Sequence, residues 1–159
     1  MVRPPAKPRA HPPLDRGLLP GLLGYALRRA QSAVFADFAA TFSRAGEALT
    51  PGEFGLLVLV ERNAGLSQMA LARALGIDRS TLVPILDRLQ ARELVVRRRS
   101  QTDGRMHALT LTPLGTKALS RYGRLVRSHE KRIAQGLSAD ETRVLLELLD
   151  KVREAARSL

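Results

Sequence analysis

Residues Leu71–Leu89 read LARALGIDRSTLVPILDRL, and Val95–Thr112 read VVRRRSQTDGRMHALTLT. The first stretch decides the fold. Ala72 stands four residues before Gly76, and Leu82 stands six after it. A small side chain at 72 lets two helices approach closely, glycine at 76 permits a sharp turn, and an apolar residue at 82 pins the second helix onto the first. That spacing describes a helix-turn-helix, whose second helix enters the DNA major groove N-terminal end first. The second stretch adds a hairpin. Leu94 to Arg99 and Arg105 to Leu111 are predicted as short strands, with His107, Leu109 and Leu111 on one face of the second. Gln101 to Gly104, which contains an Asp-Gly step, is the turn between them. A helix-turn-helix leading directly into a two-stranded hairpin is a winged helix.

Working outward, the flanks read as helices with explicit start signals. Thr50-Pro51-Gly52-Glu53 combines a threonine cap, proline at the first helical position and glutamate at the third; the helix it starts is expected to reach about Asn63, with Gly65 ending it. Ser67 caps a short helix to Leu75, and Gly76 stops it in a left-handed turn. The next helix starts near Asp78 or Ser80 and runs to about Arg92, with Leu82, Ile85, Leu86 and Leu89 facing inward. Thr112-Pro113 starts another, to about Gly136. Ser138-Ala139-Asp140-Glu141 is a second capping box, and the last helix carries Val144, Leu145, Leu148, Leu149 and Val152 as an apolar stripe. Upstream, Leu14 to about Ala45 has helical periodicity, with Leu23, Leu27, Ala30 and Val34 on one line and Phe35, Phe38 and Phe42 on another. Pro20 either starts that helix in its first turn or kinks it. Two apolar stripes on one helix exceed what a monomer's surface helix buries, which points to a second partner, such as another subunit.

The expected fold is therefore mainly α with a small β-hairpin wing: a winged helix-turn-helix over 50–112, helical regions over 14–49 and 113–159, and one domain over 14–159. Residues 1–13, MVRPPAKPRAHPP, hold five of the nine prolines and read as a flexible basic arm, either an unstructured leader or a contact to phosphates or a partner.

Composition narrows the partners. The 159 residues carry a formal net charge of +11, which favours nucleic acid or an anionic surface. There is no cysteine, so disulfides, thiolate zinc sites and thiol redox switches are excluded. No apolar run reaches the ~18 residues of a membrane span, and no apolar signal core comes after the basic N-terminus, so a cytoplasmic protein is expected. The three histidines, His11, His107 and His129, are scattered, no phosphate-binding glycine loop or H-E-x-x-H occurs, and neither enzyme, cofactor nor metal is expected.

The residues expected to meet DNA are set by this geometry. Arg79, Ser80, Thr81, Val83 and Pro84 lie on the outward face of the recognition helix. Val83 and Pro84 donate no side-chain hydrogen bond and suit a thymine methyl group. Arg88 and Arg97 to Arg99 are expected at phosphates, the last three divided between faces by strand alternation. Arg105, past the bend, sits where a narrow minor groove draws in a guanidinium, with Asp103 bracing the turn or orienting it.

The stretch from Leu71 to Gly115 resembles the winged-helix core of the multiple-antibiotic-resistance regulator (MarR) family. The marks are L-x-x-x-L-G-I-D-R-S-T-L, D-R-L at the end of the recognition helix, L-V-x-R-R, D-x-R and L-T-x-x-G, across about Ser67 to Gly115. The resemblance implies a homodimer in which the first and the last two helices pack against their mates. It implies a near-palindromic operator in double-stranded DNA, and a small effector that alters the spacing of the two recognition helices. Glu93 stands where the family usually has glycine, so the junction before the wing is made without a left-handed glycine. The absent cysteines exclude the family's peroxide sensing.

The effector is expected between the dimer helices and the winged helix. Tyr25, Arg28 and Arg29 put an aromatic ring beside paired cations, which suits a small anionic aromatic acid or the phosphates of a coenzyme A thioester. The segment is similar to that of members that sense hydroxycinnamoyl-CoA thioesters, such as p-coumaroyl-CoA. A repressor released by such a compound is one expectation. A structural, nucleoid-type DNA-binding protein without an effector is the other, and would draw nearly all its affinity from phosphates.

Overall fold

A computed structural model of the chain describes residues 14–63, 65–99 and 107–157, without the side chains of residues 98, 99, 107 and 108. The chain divides into two compact units, Met1–Ala33 and Val34–Leu159. A 3-10 turn at Leu19–Gly21 precedes helix α1, Leu23–Arg44, which begins in the first unit and ends in the second. The regular helix thus starts nine residues later than Leu14, where periodicity alone put it. Pro20 sits in the 3-10 turn, and Leu22 is extended, with φ −91° and ψ 123°, which separates that turn from α1.

The second unit continues with α2 (Pro51–Arg62), α3 (Gln68–Leu75), α4 (Arg79–Ala91), β1 (Val95–Arg99), β2 (His107–Leu111), α5 (Pro113–Ile133) and α6 (Ala139–Arg157). β1 and β2 pair antiparallel, with Val95 opposite Leu111 and Arg99 opposite His107. The helices start where short polar side chains satisfy free amides. Thr50, Ser67, Asp78 and Thr112 accept from the backbone N–H of Glu53, Ala70, Thr81 and Gly115, and Ser138 accepts from that of Glu141. Each such bond replaces water for one orphan donor and is worth about 1 kcal/mol.

Two helix ends set the geometry of the motif. After α3 the Ile77 N–H donates to the Ala72 carbonyl and the Gly76 N–H to that of Arg73, with Gly76 left-handed at φ 67°. After α4 the same pattern recurs: Leu94 N–H to Leu89 carbonyl and Glu93 N–H to Gln90 carbonyl. Both are Schellman closures, which need a left-handed residue just past the helix. Glycine fills that position at 76. At the wing junction Glu93 itself adopts φ 56°. The left-handed turn is therefore kept although the glycine is not.

The core lies beneath the winged helix. Leu82, Ile85, Leu86 and Leu89 of α4 are buried with Leu56, Leu57 and Val60 of α2, Leu71 and Ala72 of α3, Leu94, Val95 and Leu109 at the hairpin, and Ala118, Leu119 and Tyr122 of α5. Phe38 and Phe42 of α1 join them, their rings stacked at 4.5 Å. Gly115, in the first turn of α5, lies so close to the hairpin that a Cβ there would meet the Leu94 carbonyl oxygen at 1.9 Å. By contrast, α6 buries no residue.

Candidate nucleic-acid interface

Helix α4 has two unlike sides. On the outer side Arg79, Ser80, Thr81 and Pro84 are exposed and Val83 is half-buried, as the recognition-helix reading expected. The cap Asp78 organises its start. Its Oδ1 accepts from the Ser80 hydroxyl at 2.6 Å and from the Thr81 N–H at 2.7 Å. The Ser80 hydroxyl, and after it the Thr81 amide, holds the Asp78 carboxyl below the usual carboxylate range. The Ser80 proton is thereby committed, and its oxygen remains an acceptor. Pro84 lies inside α4 and has no amide proton, so the Ser80 carbonyl four residues earlier lacks its helical donor. The outer surface of α4 thus mixes one cation, two hydroxyls and two apolar side chains.

The other arginines expected at DNA are distributed unevenly. Arg88 is half-exposed and donates its Nε to Glu53 Oε1 at 2.8 Å. Arg97 in β1 donates to Asp87 Oδ1 at 3.4 Å, which ties the hairpin to α4. Arg98 and Arg99 belong to β1 by backbone, with side chains outside the described residues. Arg105 and Asp103 also lie outside them.

The C-terminal end of α4 is fastened to α5 and to the segment between α1 and α2. Arg92, the C-cap residue, donates to the Ala48 carbonyl at 2.6 Å and to the Tyr122 hydroxyl at 2.8 Å. That hydroxyl donates onward to Glu47 Oε2 at 3.0 Å, and Arg121 pairs with the same carboxylate. Burial, then the hydrogen bond to Glu47, pushes the Tyr122 phenol up from its ordinary value. An open crevice of about 860 Å³ lies against this network, lined among others by Phe42, Glu47, Leu49, Glu53, Arg88 and Arg92.

A second cluster joins α1 to α5. His129 is buried at 1% exposure, its Nδ1 2.7 Å from Asp37 Oδ2. An ionised carboxylate only accepts, so Nδ1 carries the proton. Arg132 donates to both Asp37 oxygens, at 2.8 and 3.4 Å, and also to Thr41. These bonds hold the Asp37 carboxyl at about 2, the Arg132 hydrogen bond being the largest cause and that from His129 the next.

In the first unit, Tyr25, Arg28 and Arg29 do come together. The Arg28 and Arg29 guanidinium carbons lie 5.4 and 5.8 Å from the Tyr25 ring centroid, within cation–π range.

Sequence reasoning missed the polar partners behind the interface: Glu47, Arg92 and Tyr122, the Asp37–His129–Arg132 set, and the second role of Glu53, which it read only as a capping residue. One signal was present. Glu or Gln serves a capping box equally well, so an arginine on the later helix was a candidate partner for the acid. The 35-residue separation hid the match. Among the described residues no group of three or more His, Asp and Glu is placed to hold a metal, and no helix is long and apolar enough to cross a membrane.

Comparison with known proteins agrees with this geometry. Residues 49–106 match the MarR family. A Thauera aromatica protein named for transcriptional regulation of the hcr operon is 40% identical over 139 residues, which cover 87% of this chain and 83% of its own. The transcriptional repressor CouR bound to a 23-mer DNA duplex superposes with a TM-score of 0.81 at 41% identity, over 89% of this chain and 99% of that one. CouR bound to p-coumaroyl-CoA superposes with a TM-score of 0.80 at 40% identity, over 89% and 98%. The match spans the helix-turn-helix that the caps, turns and buried face of α4 build, and the likeness extends along most of the chain: this protein belongs to the MarR family of DNA-binding transcriptional regulators.

Proposed function

We propose that this regulator is a homodimeric repressor, released from a near-palindromic operator by an anionic aromatic acid or its coenzyme A thioester, with a hydroxycinnamoyl-CoA such as p-coumaroyl-CoA favoured. The observation that carries the reading is the 40–41% identity, over nine-tenths of the chain, to a repressor described both with a DNA duplex and with p-coumaroyl-CoA. The Tyr25, Arg28 and Arg29 cluster supports it, because a ring flanked by two cations suits an aromatic anion or a nucleotide phosphate.

In this reading α4 enters the major groove, where Arg79, Ser80, Thr81, Val83 and Pro84 read base edges and methyl groups. Arg88 and Arg97 to Arg99 meet phosphates, and Arg105 reaches the minor groove. The exposed Val144, Leu145, Leu148 and Leu149 of α6 form part of the subunit contact. The protein works in the cytoplasm by binding alone, without a catalytic step.

The test is fluorescence anisotropy with the duplex upstream of its own coding sequence and with a scrambled duplex, at two salt concentrations. p-Coumaroyl-CoA and free p-coumarate are then added separately. Preference for the native duplex, abolished by the thioester and not by the free acid, is the expected result. Preference untouched by either compound refutes the effector class, and equal binding to both duplexes that collapses with salt refutes the regulator in favour of a packaging protein.

A further inference from the structure

We propose that Glu53 is a positioning residue for DNA binding: buried at the start of α2, it grips Arg88 by Nε and so presents the two Nη groups of that arginine to a phosphate. The proposal rests on the reading of Arg88 as a phosphate ligand. Glu53 is 4% exposed, whereas the Arg88 side chain is 53% exposed. The two carboxylate oxygens have separate partners. Oε2 accepts from the Thr50 N–H at 2.8 Å and closes the capping box. Oε1 accepts from Arg88 Nε at 2.8 Å. Glutamine completes a capping box as well as glutamate does, but its amide has one acceptor oxygen. The box therefore does not require an acid at this position, whereas the box and Arg88 together do.

The geometry has a consequence for the guanidinium. Its five donors lie in one plane, and fixing Nε at a buried anchor fixes that plane. Among the described residues Arg88 has no other hydrogen-bond or ion-pair partner. Its four Nη protons stay available on the half-exposed outer part of α4, one turn beyond Pro84. An arginine free at the surface must give up several rotatable bonds on meeting a phosphate; one already held at Nε gives up little. Because the anchor belongs to the first turn of α2, the same bond also sets α4 against α2.

The experiment measures anisotropy on the full chain with native and scrambled duplexes across a salt series, for Glu53→Gln, Arg88→Ala, the double variant and Arg88→Lys. Glu53→Gln keeps the capping box but turns a buried amide donor toward Arg88 Nε, so it should fold with a midpoint below wild type. It is expected to bind both duplexes on the order of tenfold more weakly, from one weakened hydrogen bond in each protomer. Arg88→Ala should weaken binding at least as much and lower the salt slope by roughly one per protomer. If Glu53 acts through Arg88, the double variant binds no more weakly than Arg88→Ala alone. Arg88→Lys, which keeps the charge and lacks the planar fork, should lose most of the same affinity, and it serves as the readout should Glu53→Gln fail to fold. Wild-type binding by Glu53→Gln or by Arg88→Lys, or losses that multiply in the double variant, would overturn the proposal. Wild-type binding by Arg88→Ala would instead remove the phosphate reading beneath it.

Discussion

Helices α4 and α6 are both amphipathic, and the chain treats them differently. The apolar face of α4 is closed within the subunit: Leu82, Leu86 and Leu89 are at 0% exposure, and Arg88 and Arg92 are fastened to Glu53, Ala48 and Tyr122. The apolar face of α6 is open: Leu148 stands at 51% exposure, and the helix buries nothing. A helix that must offer a fixed face to DNA has to be immobilised from behind, and a single chain can do that with its own core. A helix that is to join two copies has to keep its apolar face for the second copy. In the proposed reading the difference separates residues that make the fold from residues that make the assembly, and substitutions can test each side.

The largest effect should come from the closed side. Gly115→Ala puts a methyl group 1.9 Å from the Leu94 carbonyl oxygen, a backbone atom that also accepts the Thr112 N–H and cannot swing aside. Hairpin and α5 must separate, at about 3 kcal/mol or more, a large part of the ~5–15 kcal/mol that holds a typical domain. Thermal melting should show a much lower midpoint. A midpoint within a degree or two of wild type would mean that the junction is loose, and the contrast with α6 would fail.

On the open side, Leu148→Asp should leave the subunit folded, because position 148 is exposed within the chain. It should raise the dimer dissociation constant by roughly 30-fold or more, as expected for a central apolar contact replaced by a charge. Sedimentation across a concentration series reads this directly, with circular dichroism as the control. A Leu148→Asp variant that dimerises as tightly as wild type would assign the subunit contact elsewhere.

The cluster between α1 and α5 responds to pH with a definite sign. The folded Asp37 carboxyl lies at about 2, depressed from 3.8. A depressed acid contributes stability above its unfolded value and loses it as pH falls through the folded one. The advantage of wild type over Asp37→Asn should therefore shrink as pH falls from about 4 to 2. Denaturant titrations at several pH values test this, and a pH-independent gap between the two proteins would show that the charge is not what Arg132 and His129 hold.

What could be read from the sequence depended on distance along it. Caps at Thr50, Ser67, Asp78, Thr112 and Ser138 all bond within three residues, and the inward face of α4 repeats every third or fourth residue, so residue order reveals both. Pro20 was visible as an interruption, but its local effect, a 3-10 turn and an extended Leu22, was not, since apolar periodicity runs through it. The long-range polar contacts were hidden. Glu53 and Arg88 are 35 positions apart, Glu47 and Tyr122 are 75, and Asp37 and His129 are 92. No periodicity links such pairs. Gly115 was visible as a family mark, and its reason, the passing Leu94 carbonyl, only in three dimensions.

Glu93 gives the smallest effect and the one of opposite sign. It comes just after α4, at the position where a Schellman closure requires left-handed backbone, and it adopts φ 56°. For a residue with a Cβ that conformation costs roughly 1–2 kcal/mol. The turn is held in place by the Leu94 and Glu93 amides bonding back into α4 and by the Thr112 hydroxyl donating to the Glu93 carbonyl at 2.6 Å. All of these use the Glu93 backbone or its neighbours, so glycine can keep them. Glu93→Gly removes the left-handed strain and adds freedom to the unfolded chain, which takes back roughly 0.5–1 kcal/mol. The net expectation is a gain of about 0.5–1 kcal/mol, seen as a small rise in the denaturation midpoint with an unchanged denaturant slope. A loss of stability would mean that the exposed Glu93 side chain supports the wing junction, and that glutamate stands at this left-handed position for a contact rather than in spite of its strain.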